Sequence, residues 1–139
     1  MSAEAFFDTN ILVYAVSSAP DEEPKRQMSE KLIENLDFGT SGQVLQEFYN
    51  TVTRKIEVPI PHDAAMGWLD DLVELPFVPV DQALVQSGAE LSRRFQTSYW
   101  DGAIIAAAIR LGARALYTED LNNGQDYAGV RAINPFLDL

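Results

Sequence analysis

Along the chain, short apolar runs alternate with longer segments whose apolar residues recur at helical spacing. AFF (5–7) reads as a strand and ILVYAVS (11–17) as the opening of a helix. Residues 20–36 carry acids in a first turn and Met28, Leu32, Ile33 and Leu36 on one face, the pattern of an amphipathic helix. FGTSG (38–42) reads as a turn or a very short strand. QVLQEFYNTVTRK (43–55) is helical in period, with Val44, Leu45, Phe48 and Val52 on one side. Two prolines precede a further helical stretch (62–75), and FVPV (77–80) reads as a strand. Asp81 is placed to cap a helix over 81–95. SYWDGAIIAAAIRLG (98–112) is the clearest helix, closed by Gly112. RALYT (114–118) and VRAIN (130–134) read as strands, separated by the turn-rich EDLNNGQDYAG.

Strands separated by helices predict an α/β fold: a central parallel sheet with helices on both faces. In such folds ligands sit beyond the carboxyl ends of the strands. Asp8, Glu119 and Asp120 each follow a predicted strand directly and fall at that edge. A chain of 139 residues suits a single domain. At that size roughly two-thirds of the unfolded surface is buried, so no disulfide or structural metal is required.

Composition narrows the chemistry. There is no cysteine, which excludes a disulfide framework, a thiol nucleophile and a zinc–thiolate site. The one histidine, His62, has no serine motif or cysteine to activate and is not read as catalytic. The N-terminal stretch is acidic and lacks the basic-then-apolar order of a signal peptide. The longest apolar runs, ILVYAV and AIIAAAI, fall far short of the roughly 20 residues of a membrane span. The expectation is a soluble cytoplasmic protein with no membrane association.

Four acids stand out by context: Asp8 at the end of the first strand, Glu47 beside the apolar face of a helix, Asp101 in a first helical turn, and Asp120 after LYT. Each has a bland reading. Asp8 could cap the helix after it, Asp101 fits the spacing of a capping box with Ser98, Glu47 could be a solvated helix residue, and Asp120 lies in a turn. Convergence would change the balance. Two carboxylates about 4 Å apart repel by about 4 kcal/mol at an effective dielectric of 20. A domain stable by roughly 5–15 kcal/mol cannot carry four such charges bare. A converged cluster must take up protons or a cation. Oxygen-only ligands favour the hard ions Mg²⁺ or Mn²⁺.

FFDTNILVYA, QEFYN, YWDGAIIAAAIRLGA and LYTEDLNNGQ occur in an order and at spacings that resemble the PIN-domain nucleases, and within them the VapC toxins of toxin–antitoxin pairs. The likeness runs from about residue 5 to residue 134, and YTEDLNNGQ is its strongest piece. The resemblance implies an α/β/α sandwich with an acidic pocket holding one or two Mg²⁺ or Mn²⁺ ions. It maps the four acids of that pocket onto Asp8, Glu47, Asp101 and Asp120. The polar residues beside the first and last acids map onto Asn10 and Thr118, in contact with metal-bound water or a neighbouring carboxylate. It further implies RNA hydrolysis leaving a 5′-phosphate and a 3′-hydroxyl, a homodimer, and an antitoxin partner that plugs the pocket, often with an arginine. Whether Glu119 or Asp126 touches an ion is not settled by the motif.

The net charge of −11 sits awkwardly with an RNA substrate. Leaving out the four candidate acids takes −11 to −7, and one or two divalent ions bring that to about −5 or −3. RNA contact must come from local bases. Candidates are Lys25, Arg26 and Lys31 on one helix, Arg54 and Lys55 at a helix end, and Arg93 with Arg94. Each also suits an ordinary solvated helix surface. Trp100, beside Asp101, is a candidate to stack on a base, or to pack against the core or a subunit partner. Two rival readings remain. An aspartate-nucleophile phosphatase also ends its first strand in aspartate, but has a second acid two residues on, where this chain has Asn10. A non-catalytic binding module on the same fold is the other.

Overall fold

A computed structural model describes residues 2–139. The strands are β1 (Ala5–Phe7), β2 (Phe38–Ser41), β3 (Phe77–Val78), β4 (Ala115–Tyr117), β5 (Asp126–Tyr127) and β6 (Val130–Ile133). The helices are α1 (Thr9–Val16), α2 (Glu23–Asn35, entered through a 3₁₀ turn at Pro20–Glu22), α3 (Gly42–Arg54), α4 (His62–Leu72), α5 (Gln82–Phe95) and α6 (Tyr99–Leu111). They build one six-stranded sheet in the order β3-β2-β1-β4-β6-β5, parallel except for the β5–β6 pairing at its edge.

That order follows from chain handedness. The chain steps outward from β1 to β2 to β3, then returns past β1 to β4. Right-handed crossovers put the helices of the outward steps on one face and those of the return on the other. Accordingly α1 packs on α2 and α3, and α3 on α4, while α5 and α6 pack together and α6 runs along the sheet. The result is a three-layer α/β/α sandwich. The strand order reverses between β1 and β4, the point at which doubly wound sheets open a crevice.

The core spans both faces of the sheet. Phe6, Phe7, Ile11, Leu12, Phe48, Ile105 and Leu116 are fully buried. Phe7 stacks on Phe38 with ring centroids 4.1 Å apart and meets Tyr117 edge-on at 5.6 Å. Between α5 and α6 the backbones touch. A Cβ on Gly88 would lie 2.9 Å from Ala103 Cα, and one on Gly102 would collide with the Gly88 carbonyl oxygen and come within 2.7 Å of Ser92. This contact fixes α6 where it carries Asp101. Among the described residues no helix is long and apolar enough to cross a membrane.

Of the two readings open for FGTSG, turn or very short strand, the strand forms: FGTS is β2, wholly buried although three of its four residues are small or polar. Other short elements depart from the pattern-based reading. FVPV pairs only through Phe77 and Val78, because Pro79 has no N–H for the ladder. The segment before β6, read as turns, contains β5, which pairs antiparallel through Tyr127 and Val130. Helix α1 begins at Thr9, two residues before the predicted opening.

Candidate active site

Asp8 is the first residue after β1, and Thr118 is the first after β4. Parallel pairing of these two strands, with Phe7 opposite Tyr117, sets the two side chains together at the switch point. The Thr118 hydroxyl donates to Asp8 Oδ2 at 2.7 Å, and the Thr9 N–H donates to Asp8 Oδ1 at 2.7 Å. Asp8 is therefore the N-cap of α1 and also a wall of the crevice; the cap takes one oxygen and Thr118 the other. It is only 5 % exposed. Burial pushes its carboxyl up to about 7, against the lowering effect of those two hydrogen bonds, and Asp120 and Glu47 push it further in the same direction.

The other acids arrive on separate elements. Glu47 lies on α3, whose N-terminus is capped by Ser41 at the end of β2. The Thr9 hydroxyl donates to Glu47 Oε2 at 3.1 Å, and Gln43, one turn earlier on α3, donates to Oε1 at 2.9 Å. Asp101 lies in the first turn of α6, where the Ser98 hydroxyl accepts from the Asp101 N–H at 3.1 Å. Burial raises the Asp101 carboxyl, with Glu47 adding repulsion. Asp120 follows β4; its N–H donates to the Thr118 hydroxyl at 3.1 Å, and Asn10 donates to its Oδ2 at 3.1 Å. Burial raises Asp120 as well, helped by Asp101 and Glu119.

Two adjoining cavities, of about 490 and 540 Å³, share Asp8, Glu47, Thr51, Lys55 and Asp120 as walls. Asp101 and Trp100 line the second, Asn10 and Glu119 the first. All four candidate acids thus face one continuous depression, and they span a gradient from the buried Asp8 through the half-buried Asp101 to the exposed Glu47 and Asp120. Among the described residues no three of these side chains converge closely enough, as they stand, to hold a single ion. The carboxylates of Asp8, Glu47 and Asp120 are drawn instead into the local hydrogen bonds described above, while Asp101 is bonded through its N–H.

The donor set nonetheless fits a hard divalent cation. The acids repel one another, and a buried Asn10 Oδ1 has no partner. Glu47 and Asp120 are exposed enough to turn. Asp8, Glu47, Asp101 and Asp120 are the residues that could hold such an ion, with Asn10 and Thr118 beside them.

The basic candidates divide. Glu47, Thr51 and Lys55 follow one another at helical spacing, and Lys55, the C-cap of α3, lines both cavities. Arg54 is exposed and lines neither. Lys25 bonds to Glu119, and Arg26 pairs with Glu23 and Glu30. Trp100 is 64 % exposed, edge-on to Tyr99. Asp126 lies away from the cavities, accepting from the Gly129 N–H. Thr9, Gln43 and Tyr14 enter the site's hydrogen bonds without having been singled out in the sequence; for Gln43 the signal was its four-residue spacing from Glu47.

The PIN domain family model matches residues 5–126, so that β6 lies beyond the match while completing the same sheet. No curated protein matches the chain. Among solved structures, a chain of a toxin–antitoxin complex from Klebsiella pneumoniae is 18 % identical, with 95 % of this chain and 98 % of that one covered and a TM-score of 0.68. A chain of FitAB bound to the IR36 DNA fragment is 18 % identical over 94 % of each chain, with a TM-score of 0.69. VapC20 from Mycobacterium tuberculosis, a sarcin–ricin loop cleaving toxin, is 17 % identical, with 91 % of this chain and 98 % of that one covered and a TM-score of 0.66.

Proposed function

The chain belongs to the PIN domain family, and on that premise we propose that it is a divalent-metal-dependent endoribonuclease, the toxin of a VapBC-type toxin–antitoxin pair. The observation that carries this reading is the convergence of four acids, from four separate segments, on one depression at the β1–β4 switch point. Fold likeness to a chain from a toxin–antitoxin complex supports the partner. The proposed setting is cytoplasmic, as a homodimer whose cognate antitoxin covers the acidic depression.

Asp8, Glu47, Asp101 and Asp120 would hold Mg²⁺ or Mn²⁺. When bound, such an ion supplies a Lewis acid for the phosphodiester and lowers the pKa of water. The chain's own residues set the geometry. Thr118 and the Thr9 N–H orient Asp8, Asn10 orients Asp120, and Gln43 with Thr9 orients Glu47. Lys55 is the cation placed to draw a phosphate to the cavity wall, against the repulsion of a chain at −11. Trp100 offers a base an exposed aromatic face beside Asp101.

The phosphatase alternative is disfavoured by Asn10. Such enzymes carry a second acid two residues after the first, and here that position is an amide that donates to Asp120. The test is incubation of purified protein with structured RNA and Mn²⁺, with chelator and Asp101→Asn controls and a small phosphomonoester alongside. Internal cleavage that needs the metal and Asp101, leaving 5′-phosphate and 3′-hydroxyl ends, is the expected result. Intact RNA in every condition, with Asp8→Asn as well folded as wild type, would favour a non-catalytic binding module.

A further inference from the structure

Consecutive acids after β4 are gripped by one face of α1. Asn10 and Tyr14 stand one helical turn apart; Asn10 donates to Asp120 at 3.1 Å and the Tyr14 hydroxyl donates to Glu119 Oε1 at 2.6 Å. Lys25, from α2, closes the second grip by donating to Glu119 Oε2 at 3.3 Å and to the Tyr14 hydroxyl at 3.1 Å. The ammonium also lies over the Tyr14 ring, 4.7 Å from its centroid, and Phe136 packs edge-on against that ring at 5.0 Å. Two helices of the fold, α1 and α2, thus meet on a single side chain in the loop that carries Asp120.

Both oxygens of Glu119 are spoken for by this arrangement, and its charge is balanced by Lys25. A free carboxylate beside Asp120 would have two effects: it would repel its neighbour, and it would let the 118–120 loop turn. We propose that Lys25, Tyr14 and Glu119 form a latch that positions Asp120 for divalent-cation binding, with Glu119 serving as an anchor of the loop and not as a ligand. This rests on the metal-dependent reading of the site above. The latch acts through Asp120 and touches neither substrate nor ion. Groups that orient a metal ligand in this way typically carry 10–100-fold in metal affinity.

The experiment uses the full chain with Mn²⁺ as the probe. Mn²⁺ binding is followed by calorimetry for wild type, Tyr14→Phe, Lys25→Met, Glu119→Gln and Asp120→Asn. Amide hydrogen exchange of residues 118–121 is measured on the metal-free proteins. Tyr14→Phe and Lys25→Met are expected to weaken Mn²⁺ binding about tenfold and to speed exchange in the loop, with melting temperatures close to wild type. Glu119→Gln, which keeps the acceptor for Tyr14, is expected to retain more binding than either. The double variant Tyr14→Phe/Lys25→Met should be little worse than one single variant, since both break the same grip. Unchanged binding and exchange in Tyr14→Phe, while Asp120→Asn binds poorly, would overturn the latch and leave the site reading standing. A larger loss in Glu119→Gln than in Asp120→Asn would make Glu119 a ligand and also overturn it. Wild type that binds no Mn²⁺ at all would remove the site reading and the latch together.

Discussion

Asp8 and Asp101 face the same depression and each sits at the start of a helix, yet the fold treats them differently. Asp8 is held between two parallel strands, 5 % exposed, with both oxygens already bonded. Asp101 projects from a helical first turn, half-buried, and it is its N–H that Ser98 caps. A strand end at a switch point places an acid in the interior before any ion is present. A helix turn leaves the acid solvent to share. The cost of keeping charge in the depression is therefore concentrated at Asp8, and the freedom to adjust lies with the acids around it. Asp101 and Asp120 are also raised by burial.

The sharpest way to break this contrast is pH. The Asp8 carboxyl lies at about 7 in the folded chain and at 3.8 in its ordinary state. Below about pH 4 both folded and unfolded chains hold the proton, and the stabilising contribution is fully present. As pH rises, the unfolded chain gives up its proton first, so stability falls and is lost through pH 7. The span corresponds to about 4 kcal/mol at 1.36 kcal/mol per unit. Urea melts of the metal-free protein from pH 5 to pH 8 should show that decline, and Asp8→Asn should flatten most of it. A slope that survives the substitution would place the cost elsewhere in the cluster.

Activity comes next in size and should separate the two acids in a second way. Removing a residue that only orients a ligand costs about 10–100-fold, so losing a ligand itself should exceed about a hundredfold in cleavage rate. Asp8→Asn and Asp101→Asn should both do so. Only Asp8→Asn should at the same time raise the melting temperature of the metal-free protein at pH 8, since it alone removes a fully buried charge. Equal melting temperatures for the two variants would erase the distinction between floor and rim.

The floor was more legible in the sequence than the rim. An apolar strand running straight into Asp8 and LYT running into Thr118 and Asp120 are local signals, and the switch-point rule joins them. The α6 cap at Ser98 and its stop at Gly112, with φ of 82°, were equally readable. What stayed open or was missed depended on tertiary context. Phe38–Ser41 gives almost no hydrophobic signal, which left turn and short strand both open, but its small and polar side chains are what let β2 lie fully buried between β1 and β3. Tyr14 was not singled out in the sequence, and Lys25 read as an RNA-contacting base or an ordinary solvated helix residue. Their meeting at Glu119 joins residues 94 positions or more apart, which no local pattern encodes.

A smaller perturbation addresses how α6 is held. Gly88 and Gly102 let α5 and α6 touch backbone to backbone directly behind Asp101. Adding one methyl with Gly102→Ala forces the helices apart and should cost about 1–3 kcal/mol, read as a lower melting temperature. It should also weaken Mn²⁺ binding, because Asp101 moves with α6, whereas the pH dependence assigned to Asp8 should persist. Loss of that pH dependence would mean the two regions are mechanically one.

The smallest effect isolates the rim without disturbing the packing. Ser98→Ala removes the hydroxyl that accepts from the Asp101 N–H, and loss of such a cap costs about 1 kcal/mol. Because the freed turn is the one that carries Asp101, the Mn²⁺ concentration needed for half-maximal cleavage should rise several-fold, with the rate at saturating Mn²⁺ little changed. Asp81→Ala is the matching control. Asp81 caps α5 by accepting from the Leu84 N–H at 2.8 Å and pairs with Arg110 at 2.9 Å, and it lines neither acidic cavity. Its loss should lower the melting temperature while leaving the metal requirement where it was. If both variants raise the Mn²⁺ requirement equally, the effect is general loosening of the fold and the rim has no independent freedom. If only Ser98→Ala does, the acid on the helix turn is adjusted by its own cap, in contrast to Asp8, which the sheet holds in place.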